Sequence, residues 1–292
     1  MRFRGRDQPP ISPAMRGSDR LSEVESWSSS VVSRVVGVVM TDSLRGDGLF
    51  HGLWLTTVDP AVVEVAGVTR PDFVCFDAQH GVALGRLTTM TFTALSAFDV
   101  PALVRVARNH RADIGRSLDL GAAGVMVPMV ETAEDARRAA DACRYGPNGS
   151  RSYGMQTSRI DPLAEDYRPI CAVQIETTTA IDNIDEIAAV DGVDWLYIGP
   201  ADLGLSVGGV PASDVKSVFD GSHPLADEVS AAWDKVVAAA KAHGVLAGLH
   251  TSSGEATRIA ASRGFQVASV ATDMAEMKSG MARQLKTARL ST

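Results

Sequence analysis

The chain has 292 residues, 45% apolar and 22% charged, with a formal net charge of −7, an isoelectric point of about 5.4 and a mean hydropathy of +0.04. This is globular composition, long enough for one large or two medium domains, and its acidity without a concentrated basic face after residue 20 argues against nucleic acid as a partner. Cys75, Cys143 and Cys171 show no CxxC spacing, which excludes a disulfide framework or a thiolate zinc site and suits the cytoplasm.

Residues 1–45 differ from the rest. "MRFRGRDQPPISPAMRGSDR" is rich in Arg, Pro, Gly and Ser and is followed by "SWSSS", so this segment reads as a poorly ordered extension, with Met15 or Met40 as alternative starts of translation. The apolar run "VVSRVVGVVM" (31–40) is interrupted by Arg34 and far too short for a membrane span. It also lies too far in for a signal peptide.

Residues 46–292 read as one α/β domain. Strand-like runs fall at 52–57, 72–78, 101–107, 124–130, 172–177, 194–200, 246–251 and 266–272. Helical stretches lie between them, among them one after Asp59, one after Val130 and one ending at Gly244, with proline just inside the start or glycine just past the end. Near-continuous apolar strands imply a parallel sheet covered on both faces. Eight βα repeats without a GxGxxG after the first strand favour a closed (β/α)8 TIM barrel over a doubly wound sheet.

A barrel places its chemistry at the C-terminal strand ends, so polar strand ends identify candidates. In "FVCFDAQHG" (73–81), alternation puts Phe73, Cys75 and Asp77 on one face, and a carboxylate there needs a partner. The reading offers His80: an Asp77–imidazole bond would fix the tautomer and build a general base. Arg105 interrupts an apolar third strand and needs an anion, either a substrate carboxylate or a structural partner such as Asp77. "AVQIET" sets Gln174 and Glu176 on one face of the fifth strand, and "YIGPADL" brings Asp202 to the end of the sixth. Two such carboxylates suit Mg²⁺ or Mn²⁺, although each alone could cap a helix. Lys216, Lys235, Lys241, Lys278 and Lys286 all fall away from strand ends, leaving a Schiff-base mechanism without a nucleophile. The loop "YGPNGSRSYG" (145–154) could hold an anion through its N–H groups or Arg151, or be a plain mobile loop. His250, ending the seventh strand, reads as an ordinary polar loop residue with the reach to enter the mouth; Trp54 is core or pocket wall.

These residues resemble the HpcH/HpaI aldolase family, the metal-dependent class II pyruvate aldolases of the hydroxy-oxo-heptanedioate and dehydro-deoxy-glucarate type, within the phosphoenolpyruvate/pyruvate barrels. The resemblance runs in order from "GLWL" at 52 through "DAQHG", "VRVA", "GAAGVMVPMVETAEDA", "GPNGSRSYG", "QIET" and "GVDWLYIGPADLG" to about residue 289. It implies Glu176 and Asp202 as ligands of Mg²⁺, Mn²⁺ or Co²⁺, Arg105 as the pyruvate-binding arginine, and His80 with Asp77 as the base dyad. Two positions depart from the family: Gln79 stands where Glu is usual before the histidine, and Gly204 where Ser often follows "GPADL".

The expected reaction is reversible aldol cleavage of a 4-hydroxy-2-oxo acid to pyruvate and an aldehyde. Substrate contacts would come from Arg105, Gln174, Trp54 and backbone N–H groups at Gly199, Pro200 and Ala201. The rivals are a citrate-lyase-like acyl-thioester lyase and a non-catalytic barrel that binds an oxo acid. The partners implied are a small 2-oxo acid and an aldehyde, and the resemblance implies a homo-oligomer, a hexamer with C-terminal helices exchanged between neighbours.

Overall fold

A computed structural model describes residues 41–289 apart from 47, 84, 155–160 and 165. Eight parallel strands close into a barrel in sequence order: β1 (Phe50–Leu55), β2 (Phe73–Asp77), β3 (Ala102–Arg105), β4 (Gly124–Val127), β5 (Ile170–Ile175), β6 (Trp195–Ile198), β7 (Leu246–His250) and β8 (Val267–Thr272). All eight expected strands are present, most of them shorter than expected because residues past the last ladder bond belong to the βα loops. The helices among the described residues are α1 (Pro60–Val68), α2 (Thr89–Ser96), α3 (Arg111–Asp119), α4 (Ala133–Cys143), α5 (Thr178–Asp182), α6 (Ile184–Ala188), α7 (Pro200–Gly208), α8 (Val215–Phe219), α9 (Ala226–His243), α10 (Gly254–Ser262) and α11 (Asp273–Arg289).

The local signals explain these boundaries. Asp59 accepts from the Ala61 N–H ahead of Pro60 at the start of α1. Thr132 and Asp135 form a capping box on α4, and α9 stops at Gly244 in the left-handed conformation.

Strand alternation divides the core in two. Val74, Phe76, Val104, Val125, Val173, Leu196 and Leu249 pack outward against the helices. Phe50, Trp54, Phe73, Cys75, Leu103, Met126, Ile170, Ala172, Trp195 and Tyr197 fill the lumen. Large rings fit there because small residues face them: a Cβ on Gly248 would lie 2.4 Å from the Tyr197 ring. The lumen is therefore a packed floor beneath the mouth rather than a pore.

The expected extension lies outside the described residues up to residue 40, and its last part is not an extension. Leu44 is 1% exposed and belongs to the lumen cluster, a burial that contributes about 2 kcal/mol. Trp195 Nε1 donates to its carbonyl. Arg45 bonds Asp194 at 2.7 Å and the carbonyls of Arg168 and Pro169. The domain therefore begins before residue 46, with this segment closing the N-terminal end of the barrel.

Candidate active site

Trp54, Asp77, His80, Arg105, Gln174, Glu176, Gly199, Pro200, Ala201, Asp202 and His250 lie at or near the C-terminal ends of their strands, whereas the 145–154 loop with Arg151 leads from α4 into the start of β5 on the other side. Within the mouth, the pairing differs from the expectation. Asp77 and Arg105 end β2 and β3 in register, so their side chains leave adjacent strands on the same lumen-facing side. Arg105 donates from Nε to Asp77 Oδ1 at 3.0 Å and from Nη2 to Oδ2 at 2.6 Å. The same carboxylate accepts the backbone N–H groups of Gln79 and His80, each at 3.0 Å, and Trp54 Nε1 approaches it at 3.5 Å. Burial works to raise the Asp77 carboxyl; the bonds to Arg105 with its charge, and the two backbone N–H groups, outweigh it and hold the group below its ordinary range.

The expected Asp77–His80 dyad is thereby corrected. Asp77 folds its own turn by accepting from the backbone two and three residues on. That arrangement leaves the His80 imidazole exposed, and among the described residues no hydrogen bond joins it to Asp77. Arg105 likewise takes the structural partner that the sequence offered as its alternative, while its guanidinium also lies 4.9 Å over the Trp54 ring. Trp54 is 3% exposed and is core under the site rather than an open wall.

The opposite side of the mouth is less satisfied. Glu176, just beyond β5, is 2% exposed. Its Oε2 accepts one hydrogen bond, from the Met129 N–H at 2.9 Å. That N–H is aimed by an unusual backbone, Met129 having φ of 54°, a conformation strained for a side chain with Cβ. Burial raises the Glu176 carboxyl above the ordinary glutamate range; the Met129 N–H lowers it, the charge of Asp202 raises it further, and Arg105 opposes. Asp202 sits exposed in the first turn of α7. Backbone at Gly199 lies so near that a Cβ there would meet Glu176 Oε1 at 2.4 Å.

This pair fits a divalent cation. A buried carboxylate with a single donor, a second carboxylate in its field and an Arg105 already bonded at two points to Asp77 is short of positive charge, and the glycine at 199 places no Cβ against its other oxygen. No group of three or more His, Cys, Asp or Glu side chains converges among the described residues. Two carboxylates with water completing the shell suit a hard cation such as Mg²⁺.

Of the remaining candidates, Gln174 is lumen-facing and 2% exposed, and its buried Oε1 has no hydrogen-bond partner among the described residues. The expected row of N–H donors at 199–201 shrinks. The Gly199 N–H is spent on the Ile175 carbonyl, Pro200 has none, and Ala201 lies in the first turn of α7, where N–H groups lack helical partners. Arg151 cannot anchor an anion: its fully buried side chain bonds Asp119 and the Tyr167 hydroxyl and lies over the Tyr145 ring. The lysines all lie in α8, α9 and α11, away from the mouth's strand ends.

Sequence reasoning undervalued two groups. Met129 acts through its backbone, for which no side-chain signal exists. His250 ends β7 facing the lumen, edge-on to Trp54 at 4.7 Å; its place in the inward phase of "LAGLH" was the available clue.

Comparison with known proteins identifies the family of this barrel. The family described as HpcH/HpaI aldolase/citrate lyase matches residues 51–279. A 4-hydroxy-2-oxovalerate aldolase of Novosphingobium aromaticivorans is 38% identical over 211 residues, 70% of this chain and 78% of that protein. A hydroxypyruvate/pyruvate aldolase of Deinococcus radiodurans is 37% identical over 203 residues, 67% of this chain and 71% of that protein. The crystal structure of a family protein from Burkholderia cenocepacia superposes with a TM-score of 0.75 at 29% identity, covering 86% of this chain and 99% of that one. The aldolase relatives make the activity carbon–carbon bond cleavage, the reaction expected of the mouth. The chain belongs to the HpcH/HpaI aldolase/citrate lyase family.

Proposed function

We propose that this aldolase cleaves a 4-hydroxy-2-oxo acid to pyruvate and an aldehyde with a divalent cation, Mg²⁺, Mn²⁺ or Co²⁺, held by Glu176 and Asp202. The observation that carries the metal reading is the buried Glu176 carboxylate, satisfied by one backbone N–H and left open beside Gly199. When bound, the cation supplies Lewis-acid polarisation of the substrate oxygens.

The protein's own groups then divide the remaining work. Arg105, held rigid by Asp77 and Trp54, stabilises negative charge as it develops on the 2-oxo oxygen when the C3–C4 bond breaks. Gln174 and the Ala201 N–H hold the oxo-acid end. His80, whose ring is exposed and free of Asp77, takes the 4-hydroxyl proton. The relatives' names span different hydroxy-oxo acids, so the pyruvate half is the shared part of the substrate and the aldehyde half varies among them.

The protein assembles as a homo-oligomer in this reading. The whole of α11 lacks a buried residue, and Met274, Met277, Met281 and Leu285 stand exposed on it at spacings that place them along one side. No helix among the described residues is long and apolar enough to cross a membrane, and Cys75, Cys143 and Cys171 are free thiols; both agree with the cytoplasm.

The test is pyruvate release from a panel of 4-hydroxy-2-oxo acids before and after EDTA, with Mg²⁺, Mn²⁺ and Co²⁺ restored singly. Turnover should vanish and return with metal. His80→Ala should slow cleavage about 100-fold or more with metal affinity kept, whereas Glu176→Ala should lose the metal. Full turnover in EDTA would overturn the metal reading.

A further inference from the structure

The mouth contains one more polar group, and its protonation can be deduced by counting donors. His250 pairs in register with Ser269 on β8, and its Nδ1 lies 3.0 Å from Ser269 Oγ. Ser269 Oγ is also bonded to the Tyr197 hydroxyl. Tyr197 and Ser269 are both completely buried, so each proton in this chain must find its acceptor inside the protein.

Among the described residues the Tyr197 hydroxyl has Ser269 Oγ as its one acceptor. Tyr197 therefore donates to Ser269, and the single proton of Ser269 is left for His250. Nδ1 accepts it, and a neutral imidazole in that position carries its own proton on Nε2. The ring is neutral: burial, then the charge of Arg105, push its pKa down to about 4, against an opposing contribution from Asp77. The groups facing it are Arg105 from β3, Asp77 from β2, Trp54 from β1, Tyr197 from β6 and Ser269 from β8. Nε2 has no hydrogen-bond partner among them, and the side chain keeps some accessible surface at the end of its strand.

We propose that His250 is a further substrate-binding residue, a neutral imidazole whose Nε2–H donates to a carboxylate or oxo oxygen of the bound 2-oxo acid beside Arg105, its tautomer fixed by Tyr197 and Ser269. The ligand's identity rests on the aldolase reading above; the tautomer does not. A neutral donor suits this position because Arg105 and the cation already supply the positive charge there, and a third charge would repel both. The nearby Trp54 ring, contacted by both Arg105 and His250, keeps the two donors at fixed spacing.

The test uses the full chain in two measurements. Nitrogen NMR of histidine-labelled protein should show His250 as the Nε2–H tautomer, unchanged from about pH 8 to about pH 5.5, where an ordinary histidine titrates. Tyr197→Phe, which frees Ser269 to accept, should let the Nδ1–H form appear. Calorimetric titration of pyruvate at saturating Mn²⁺ should find binding weakened about tenfold in His250→Ala, with Mn²⁺ affinity kept and KM raised more than kcat falls. His250→Gln, which restores an N–H donor, should recover most of the loss. An Nδ1–H tautomer or an imidazolium signal near neutral pH would overturn the proposal, as would a His250→Ala protein that binds pyruvate as tightly as the parent. A parent protein that neither binds pyruvate nor cleaves any hydroxy-oxo acid would instead overturn the functional reading, and the ligand assigned to His250 with it, while the Nε2–H signal in the same sample would still establish the tautomer.

Discussion

The two sides of the mouth solve the same problem in opposite ways. On the β2–β3 side, Asp77 is as buried as Glu176 but receives a two-point bond from Arg105 and two backbone N–H groups. On the β5–β6 side, Glu176 receives one N–H and the field of a second carboxylate. The first carboxylate is held below its ordinary range and the second is pushed above it. A buried charge that is fully partnered is part of the framework; one left short of positive charge is prepared for a ligand that brings it. The aldolase thus sets a fully partnered carboxylate opposite one short of positive charge, the side where the cation is proposed to bind.

If that contrast is right, Asp77→Asn should cost mainly stability. Removing one member of a buried ion pair strands the other, a loss of about 3 kcal/mol or more, which in a chain of this size lowers Tm by about 6–12 °C. The pH dependence follows from the depressed Asp77 pKa. Its contribution is complete above the unfolded carboxylate value of about 3.9 and is lost as pH falls from there through the lower folded value. The Asn protein should therefore begin less stable at neutral pH and lose less on acidification below about pH 4. Thermal melts across that range check both, and a parent-like melting curve would mean that Arg105 is held by something other than Asp77.

Gly199→Ala probes the other side without touching a ligand. Its φ of −90° and ψ of 95° are open to alanine, so the fold should survive. The added Cβ would nevertheless overlap Glu176 Oε1 and push the carboxylate out of place. Displacing a ligand through its surroundings commonly costs about 10–100-fold in metal affinity, and activity should fall in step, with Tm little changed. Equal Mn²⁺ affinity in the two proteins would remove Glu176 from the metal site.

Much of this architecture was legible in the sequence because it depends on patterns of side chains. Apolar runs with proline and glycine punctuation record the barrel, "QIET" and "GPADL" carry the family resemblance, and alternation sets Asp77 on the face of Phe73 and Cys75 and Arg105 on the face of Leu103. Pairing between strands was less legible. Asp77 and His80 are close along the chain, whereas Asp77 and Arg105 meet only through barrel register, so proximity in sequence favoured the wrong partner. The docking of Leu44 was hidden by the Arg- and Gly-rich composition around it, and the Tyr197–Ser269–His250 series joins three strands that sequence order keeps apart.

Met129 is the position with no sequence signal at all, and it offers the smallest and sharpest test of the contrast. Its left-handed backbone costs about 1 kcal/mol in a residue bearing Cβ, and its half-exposed side chain recovers little of that by burial. Met129→Gly should relieve the strain, offset in part by the greater freedom of glycine in the unfolded chain, and leave the protein more stable by up to about 1 kcal/mol, a rise of about 2–4 °C in Tm. The same change loosens the one N–H that fixes Glu176 Oε2. Mn²⁺ affinity should therefore drop, though by less than in Gly199→Ala, because the carboxylate keeps its space and loses only its aim. Stability and metal affinity moving in opposite directions is the signature of strain retained to hold a ligand in place. If both rose together, the Met129 conformation would be a byproduct of the loop, and the unfinished side of the mouth would be organised by Gly199 and Asp202 without it.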